Sequence, residues 1–205
     1  MRCNGGCTFA EDPARAAPSA RIIWHADFDP GTLPVAALPA DPADPDSLRL
    51  ESLAPWLAIA ADEAGREHVV LSDGWHHIRL DVEEGRLSGV QAVMLHYRLR
   101  GLASAEARLL PLRRLLDLCR HRRFSRSLFP RDPLIARGIV MLRVHDALAA
   151  DASQREIAAV LFGDARVRQD WRGASDSLRS RVRRLVRGAR SLAQGGYREL
   201  LRRRR

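Results

Sequence analysis

Apolar residues follow two different periods in this chain, one before residue 102 and one after it. In the first part they alternate with polar residues, as at 75–82, where Ile78, Leu80 and Val82 share one face. A period of two predicts strands that are packed on one side. Beyond residue 102 the period lengthens to three or four, which predicts helices. The order of the two patterns predicts an α+β chain, in which a small antiparallel β meander precedes an all-α helix-turn-helix bundle.

Turn residues suggest how the chain divides. Asp73-Gly74 separates two alternating runs and predicts a hairpin, because both residues tolerate positive φ. Residues 29–46 hold five prolines, which lack the amide proton that a sheet ladder needs, so no regular strand is predicted there. The segment is predicted to be a linker or an extended stretch across a neighbouring surface, and Leu33, Val35 and Leu38 favour partial docking. We therefore expect an irregular proline-rich segment at 1–46, an antiparallel β unit at 47–102 and a helical domain at 103–205.

Two helices are predicted in the middle of the helical domain. The first runs from Asp132 to Ala150 and is apolar on nearly every side, so it is expected to be central. The second begins after Ser153, which with Glu156 forms a capping box, and it stops at Gly163.

A long amphipathic helix is predicted from Ser175 to Gln194, with Ser175 or Asp176 as its cap. Its apolar face comprises Leu178, Val182, Leu185, Val186, Ala189, Leu192 and Ala193. The connection to it is longer than the roughly three or four residues of an ordinary helix-turn-helix. Residues 165–171 are therefore predicted to add a short helix, with Trp171 as a buried anchor.

The basic charge of the chain lies at its C-terminal end. The chain has 34 basic and 25 acidic residues, a net charge of +9, and it contains no lysine. Residues 177–205 hold eleven arginines and one acid, Glu199, so residues 1–176 sum to −1. Such an uneven distribution favours a polyanionic partner. A membrane surface is disfavoured, because the amphipathic helix has no aromatic anchor before Tyr197.

Residues that could support other chemistry do not form a site. His76 and His77 are neighbours on a strand and point to opposite faces, so they cannot easily share a metal. Cys3 and Cys7 have no second pair to complete a zinc site, and three cysteines are expected to be reduced. No phosphate loop, nucleophile elbow or metalloprotease motif is present. We expect no enzyme, cofactor, metal or membrane span, and a cytoplasmic location.

Five sequence stretches also resemble a known family. They are ALAADASQREIA at 147–158, LFG at 161–163, Trp171, SLRSRVRRL at 177–185 and GGYRELL at 195–201. These resemble a proteobacterial helix-turn-helix domain family, first catalogued as a domain of unknown function. It occurs in transcriptional regulators that include excision activators of integrative and conjugative elements. The resemblance spans roughly residues 104–202, and it implies DNA binding with the long turn as a family feature. Longer members carry an upstream module, of which residues 1–24 resemble only the tail.

Together these patterns predict a DNA-binding transcriptional regulator with an arginine-rich recognition helix. Base contacts are expected from four residues early on that helix, because arginine and serine can bond to base edges in the major groove. They are Ser177, Arg179, Ser180 and Arg183. Phosphate contacts are expected from Gln154, Arg155, Arg166, Arg184, Arg187, Arg190, Arg202 and Arg203.

A second interpretation is a protein-interaction module, such as an antiactivator or an activator subunit, which docks a partner regulator without reading DNA. Another regulator or RNA polymerase is a further expected partner. RNA binding is disfavoured, because only 5% of the residues are aromatic and could stack on bases. The operator, the sign of regulation and the oligomeric state stay open, since no heptad seam marks a dimer.

Overall fold

The computed structural model describes residues 15–16, 19–130, 132–171 and 177–202, with side chains up to residue 200. The chain forms two compact units. The first extends to Pro130, and the second comprises Arg131–Leu200. Among the described residues, the strands, the first α-helix and two short 3₁₀ helices lie in the first unit, and the helices between residues 133 and 200 lie in the second.

A six-stranded mixed sheet forms the first unit. Its strands are β1 (Leu33–Pro39), β2 (Leu48–Arg49), β3 (Leu57–Ala61), β4 (Glu67–Ser72), β5 (His77–Gly85) and β6 (Ala92–Tyr97). They lie in the order β2-β6-β1-β5-β4-β3. The hairpin predicted at Asp73-Gly74 is confirmed, because it joins the antiparallel strands β4 and β5. The predicted antiparallel meander is wrong in two respects. Strand β1 lies between β5 and β6 and runs parallel to β5, with Leu33 beside Leu80, and β2 pairs with β6 rather than with β3.

Strand β1 lies within the segment that the prolines predicted to be irregular. Leu33, Val35 and Ala37 are fully buried in the sheet core, so that prediction is wrong for this stretch. The prolines inside the strand are Pro34 and Pro39, near or at its ends, where the loss of an amide donor disturbs the ladder least. The carbonyl of Pro34 still accepts a hydrogen bond from the Arg98 amide, at 2.9 Å.

Helix α1 (Leu102–His121) belongs to the first unit, whereas the sequence assigned residues from 103 onward to the helical domain. Leu115 and Leu118 explain the difference, because both are buried in the same apolar core as Leu33 and Val93. The helix ends at Arg122, whose φ is 55° and whose amide donates to the Leu118 carbonyl.

The second unit contains α2 (Pro133–Ala149), α3 (Gln154–Phe162), α4 (Asp164–Asp170) and α5 (Ser177–Ser191). A π-helical turn at Leu192–Gly196 and α6 (Tyr197–Arg202) follow. Asp132 caps α2 by accepting from the Leu134 amide at 2.8 Å, and Pro133 occupies the first turn. Gly195 adopts φ 111° and breaks the long helix.

Helix α2 is not central, contrary to the expectation from its composition. Met141 and Val144 are its buried residues, whereas Ile135 and Leu142 are 59% and 63% exposed. Helix α5 instead contributes the most to the core of this unit, through Leu178, Val182, Val186 and Ala189. An apolar composition could not show which face of α2 would be covered, because covering depends on the neighbouring helices.

Candidate nucleic-acid interface

The beginning of α3 is fixed by the capping box that the sequence predicted. The Ser153 hydroxyl accepts from the Glu156 amide at 3.3 Å, and the Glu156 carboxylate accepts from the Ser153 amide at 2.7 Å. Hydrogen bonds from the Ser153 side chain and amide lower the pKa of Glu156. Gln154 and Arg155, in the first turn, are consequently held on a rigid helix end with their side chains exposed.

Helix α4 follows α3 with a single residue between them, and it confirms the short helix predicted in the connection. Gly163 makes this possible, because it adopts φ 87°, a value that other residues rarely reach. Val167 is buried, and Trp171 packs half-buried against the core at the end of the helix. The Trp171 amide donates to the Val167 carbonyl at 3.0 Å.

Helix α5 separates apolar from basic residues along its length. The predicted apolar face is confirmed from Leu178 to Leu192, with four of its members buried and two packed against them. Ala193 is exposed, so the face ends one residue earlier than predicted. Over Ser177–Ser191 the helix carries six arginines and no acid. All six are exposed: Arg179, Arg181, Arg183, Arg184, Arg187 and Arg190.

Helix α3 runs across the first turns of α5 rather than along them. Near its C-terminal end, the Phe162 ring lies beneath the Arg181 guanidinium, with 4.7 Å from the guanidinium carbon to the ring centre. Near its N-terminal end, Gln154 lines the same cleft as Arg179 and Arg183. Arg181 and Arg183 lie on opposite flanks of the α5 apolar face, because successive residues differ by about 100° around a helix.

A shallow cleft lies where the α3 N-terminus meets α5. Gln154, Trp171, Arg179 and Arg183 line this cleft. The Arg183 guanidinium also donates to the Ser180 hydroxyl at 3.1 Å, one turn earlier on the same helix. The cleft therefore brings Gln154, a predicted phosphate-binding residue, together with Arg179 and Arg183, which are predicted to contact bases. These arginines lie 25 and 29 residues after Gln154 in the sequence. Two guanidiniums beside an amide and an indole suit an anionic or hydrogen-bonding partner.

A comparison with known families agrees with this chemistry. Residues 99–202 match a family model described as "T6SS, Transcription factor, DNA binding domain". The chain belongs to this family. The match covers half of the chain, and it makes the protein a member of a family of DNA-binding regulators. The family description names a T6SS transcription factor and does not mention excision of mobile elements. No curated protein matches the chain.

The other predicted contacts of this family member fall on several elements. Ser177 is exposed at the start of α5, and Arg166 on α4 pairs with Asp170 at 3.4 Å. Arg202 lies in α6 with a side chain outside the described part, and Arg203 lies outside it altogether. The predicted cap of α5, Ser175 or Asp176, also lies outside the described residues.

Sequence reasoning missed the contact between Phe162 and Arg181. The available signal was the position of Phe162, a large aromatic residue immediately before the helix-ending Gly163. Its partner could not be identified without knowing that α3 crosses α5. A cation over an aromatic face adds about 0.5–1 kcal/mol at exposed sites. This contact fixes the far end of α3 against α5.

The described residues were also searched for membrane-spanning helices and for groups that could bind a metal ion. None of the helices there has both the length and the apolar character needed to cross a membrane. Within the same residues, no group of three histidine, cysteine or acidic side chains is placed to hold a metal ion.

Proposed function

We propose that this protein is a transcriptional regulator that binds duplex DNA through a helix-turn-helix made by α3 and α5, with α5 as its arginine-rich recognition helix. The observation that supports this most strongly is the separation of surfaces on α5. Its apolar face anchors the helix in the core, while six exposed arginines present a basic surface without a single acid. A helix of this width fits the major groove, and its charge complements the phosphates that border the groove.

Base recognition is assigned to the first two turns of α5. Arg179 and Arg183 have the forked guanidinium that pairs with the two acceptors of guanine, and Ser177 and Ser180 can bond to several bases. In an ordinary helix-turn-helix the first residues of the second helix contact the bases, whereas the first helix crosses the backbone. The crossing of α3 over the start of α5 is consistent with that arrangement.

Phosphate contacts are assigned to the residues around this centre. Gln154 and Arg155 have exposed side chains in the first turn of α3. Arg184, Arg187 and Arg190 extend the basic surface toward the end of α5. Arg166, Arg202 and Arg203 complete the proposed set. Such contacts set orientation and affinity, but they carry no sequence information.

The first test is fluorescence anisotropy with duplexes tiled across the upstream region of the gene, with scrambled duplexes as controls, over a salt series. We expect one duplex to bind far more tightly than the others, with an affinity that falls steeply as salt rises. Equal, weak binding to every duplex would contradict the recognition helix. The protein-interaction alternative would then become the better explanation.

Two arginine variants separate base recognition from phosphate binding on that duplex. Arg183→Ala should weaken specific binding by about 1–3 kcal/mol and reduce discrimination against scrambled DNA. Arg187→Ala, one turn later, should weaken binding to the specific duplex and to a scrambled duplex by the same factor, because a phosphate contact is independent of sequence. An unchanged site preference in Arg183→Ala would contradict its assignment.

A further inference from the structure

A cavity of about 440 Å³ lies between helix α1 and the start of strand β5, within the first unit. Part of its lining comes from Asp29 and Gly31, which precede β1, and from residues 77–79 of β5. One face of α1 supplies the apolar part of the lining, which comprises Ala103, Ala107, Leu110 and Pro111. Sites for small molecules typically enclose about 300–1,000 Å³ and combine a mostly apolar wall with a few polar groups. The cavity therefore has the size and the lining of a small-molecule site.

The wall that α1 forms contains a proline in the middle of the helix. Pro111 has no amide proton, so the Ala107 carbonyl lacks the donor that a regular helix supplies four residues later. Both residues line the cavity, and a β-carbon added at Gly31 would lie 4.0 Å from the Ala107 carbonyl oxygen. This oxygen therefore lies on the side of α1 that faces Gly31, where it can accept a hydrogen bond from a ligand.

Two carboxylates also line the cavity, at separate places. Asp29 is 3% exposed; one of its oxygens accepts from the Gly31 amide at 3.2 Å, and the other lies 3.6 Å from Nε2 of His77. Glu106 is exposed on the second turn of α1. In the described part of the chain no three histidine, cysteine or acidic side chains are placed to hold one metal ion, so Glu106 lies apart from Asp29 and His77. A ligand that reaches both carboxylates must be longer than a single ion.

The two arginines of the lining are bonded to the protein itself. The Arg79 guanidinium donates to four groups, which are the carbonyls of Trp24, Val69 and Leu80 and the carboxylate of Asp81. The Arg114 guanidinium donates to the Leu128 carbonyl at 2.8 Å and lies over the Phe129 ring. The protein thus supplies acceptors to its own arginines, while Asp29, Glu106 and the Ala107 carbonyl offer acceptors to the cavity. This arrangement favours a ligand that is rich in donors.

We propose that this cavity binds a short aliphatic diamine, with one ammonium group at Asp29 and the Ala107 carbonyl and the other at Glu106. An ammonium group has three donors and no acceptor, so it complements carboxylate and carbonyl oxygens. The aliphatic wall of α1 suits the methylene chain that joins the two ammonium groups. Every lining residue belongs to the first unit, so this function is separate from DNA recognition by α5.

Isothermal titration calorimetry of the full chain without DNA tests the proposal, with the four-carbon diamine putrescine as the probe. Saturable binding of one putrescine per chain is expected. Butylamine should bind about tenfold more weakly, because it lacks the second ammonium group. Butanediol has the same length but no charge, and it should not bind measurably. The net charge of +9 disfavours non-specific binding of cations, so saturation would report a defined site.

Two variants remove one carboxylate each. Asp29→Asn keeps an oxygen for the Gly31 amide, and it should raise the dissociation constant of putrescine about tenfold or more. Glu106→Gln changes an exposed residue and should therefore fold normally. It should raise the dissociation constant about threefold, because an ion pair in contact with water is weak.

The matched control is Glu63→Gln, because Glu63 is an exposed acid of the same unit that does not line the cavity. Its dissociation constant should equal that of the wild-type chain. The proposal would be overturned if putrescine did not bind saturably, if butanediol bound as tightly, or if both cavity variants kept the wild-type affinity. An equal loss in Glu63→Gln would also overturn it, because binding would then depend on total charge. None of these outcomes bears on DNA recognition, since the titration contains no DNA.

Discussion

At the scale of single residues, the strongest local structure is the capping box of α3. Ser153 and Glu156 satisfy each other's backbone amides, and no tertiary contact is needed for them to do so. Sequence spacing alone therefore predicted the helix start, and the structure confirms it. The same box places Gln154 in the lining of the cleft, so a local signal sets the position of a proposed functional residue.

The capping box should make the stability of α3 depend on pH. The pKa of Glu156 in the folded chain is lowered from its ordinary value of 4.5. The ionised Glu156 carboxylate therefore stabilises the fold fully above about pH 4.5, and this contribution is lost as the pH falls through the lowered pKa of the folded chain. Urea unfolding at pH 7 and pH 3 should show that Glu156→Gln costs more stability at the higher pH. If Glu156→Gln cost the same unfolding free energy at both pH values, this prediction would be contradicted. As a control, the pH dependence of that cost should be smaller in a Ser153→Ala background.

Cys119 should be unreactive in the folded chain. Burial raises the pKa of its thiol to about 11, so about one molecule in a thousand carries a thiolate at pH 8. Iodoacetamide should leave the Cys119 peptide unmodified under native conditions and should modify it fully in urea, as peptide mass spectrometry would measure. Rapid labelling of the folded chain would show that this part of the first unit opens readily.

At the scale of elements, strand β1 shows how a sequence signal can mislead. Five prolines between residues 29 and 46 favoured an irregular segment. The strand nevertheless forms, since Pro34 and Pro39 lie near or at its ends and the core accepts Leu33, Val35 and Ala37 between β5 and β6. The gain from burying these side chains outweighs two missing donors, and that gain depends on strands far away in the sequence.

Gly85 should be needed for the pairing of β1 with β5. A β-carbon there would lie 1.9 Å from the Ala37 carbonyl oxygen, so β1 would have to move. Gly65 has the same φ of 76°, but it meets nothing within 4 Å, and it is a matched control. Gly65→Ala should cost about 1–2 kcal/mol of unfolding free energy from backbone strain alone. Gly85→Ala should cost about 1–3 kcal/mol more from the clash. Equal losses in chemical denaturation would contradict the contact.

At the scale of the whole molecule, residues 1–176 and residues 177–205 differ in net charge. The basic surplus lies in residues 177–205, and residues 1–176 are nearly neutral. The structure adds that the six arginines of α5 are all exposed. This agrees with membership of a family of DNA-binding transcription factors.

The salt dependence of DNA binding should report which arginines contact phosphates. Each phosphate contact adds about 0.9 to the slope of log affinity against log salt. Arg187→Ala should therefore reduce that slope by about one, because it would remove one of the proposed phosphate contacts of α5. Arg86→Ala, an exposed arginine on the β unit, should leave the slope unchanged. Equal reductions in both variants would show that binding depends on total charge rather than on α5.

The sequence by itself determined the features that depend on neighbours a few residues apart. These are the capping box, the hairpin at Asp73-Gly74, the short helix before Trp171 and the apolar face of α5. Each follows from backbone hydrogen bonding or from a period of two or 3.6 residues, and each is confirmed.

Tertiary structure alone decided the rest, because those features need partners that are distant in sequence. β1 became a central strand through Leu80 and its neighbours, and α1 joined the sheet through Leu115 and Leu118. The cleft forms where α3 meets α5, with Gln154 of α3 and Arg183 of α5 both in its lining. Periodicity shows which residues are apolar, but the surface of α2 that stays exposed was set by which helices came to lie beside it.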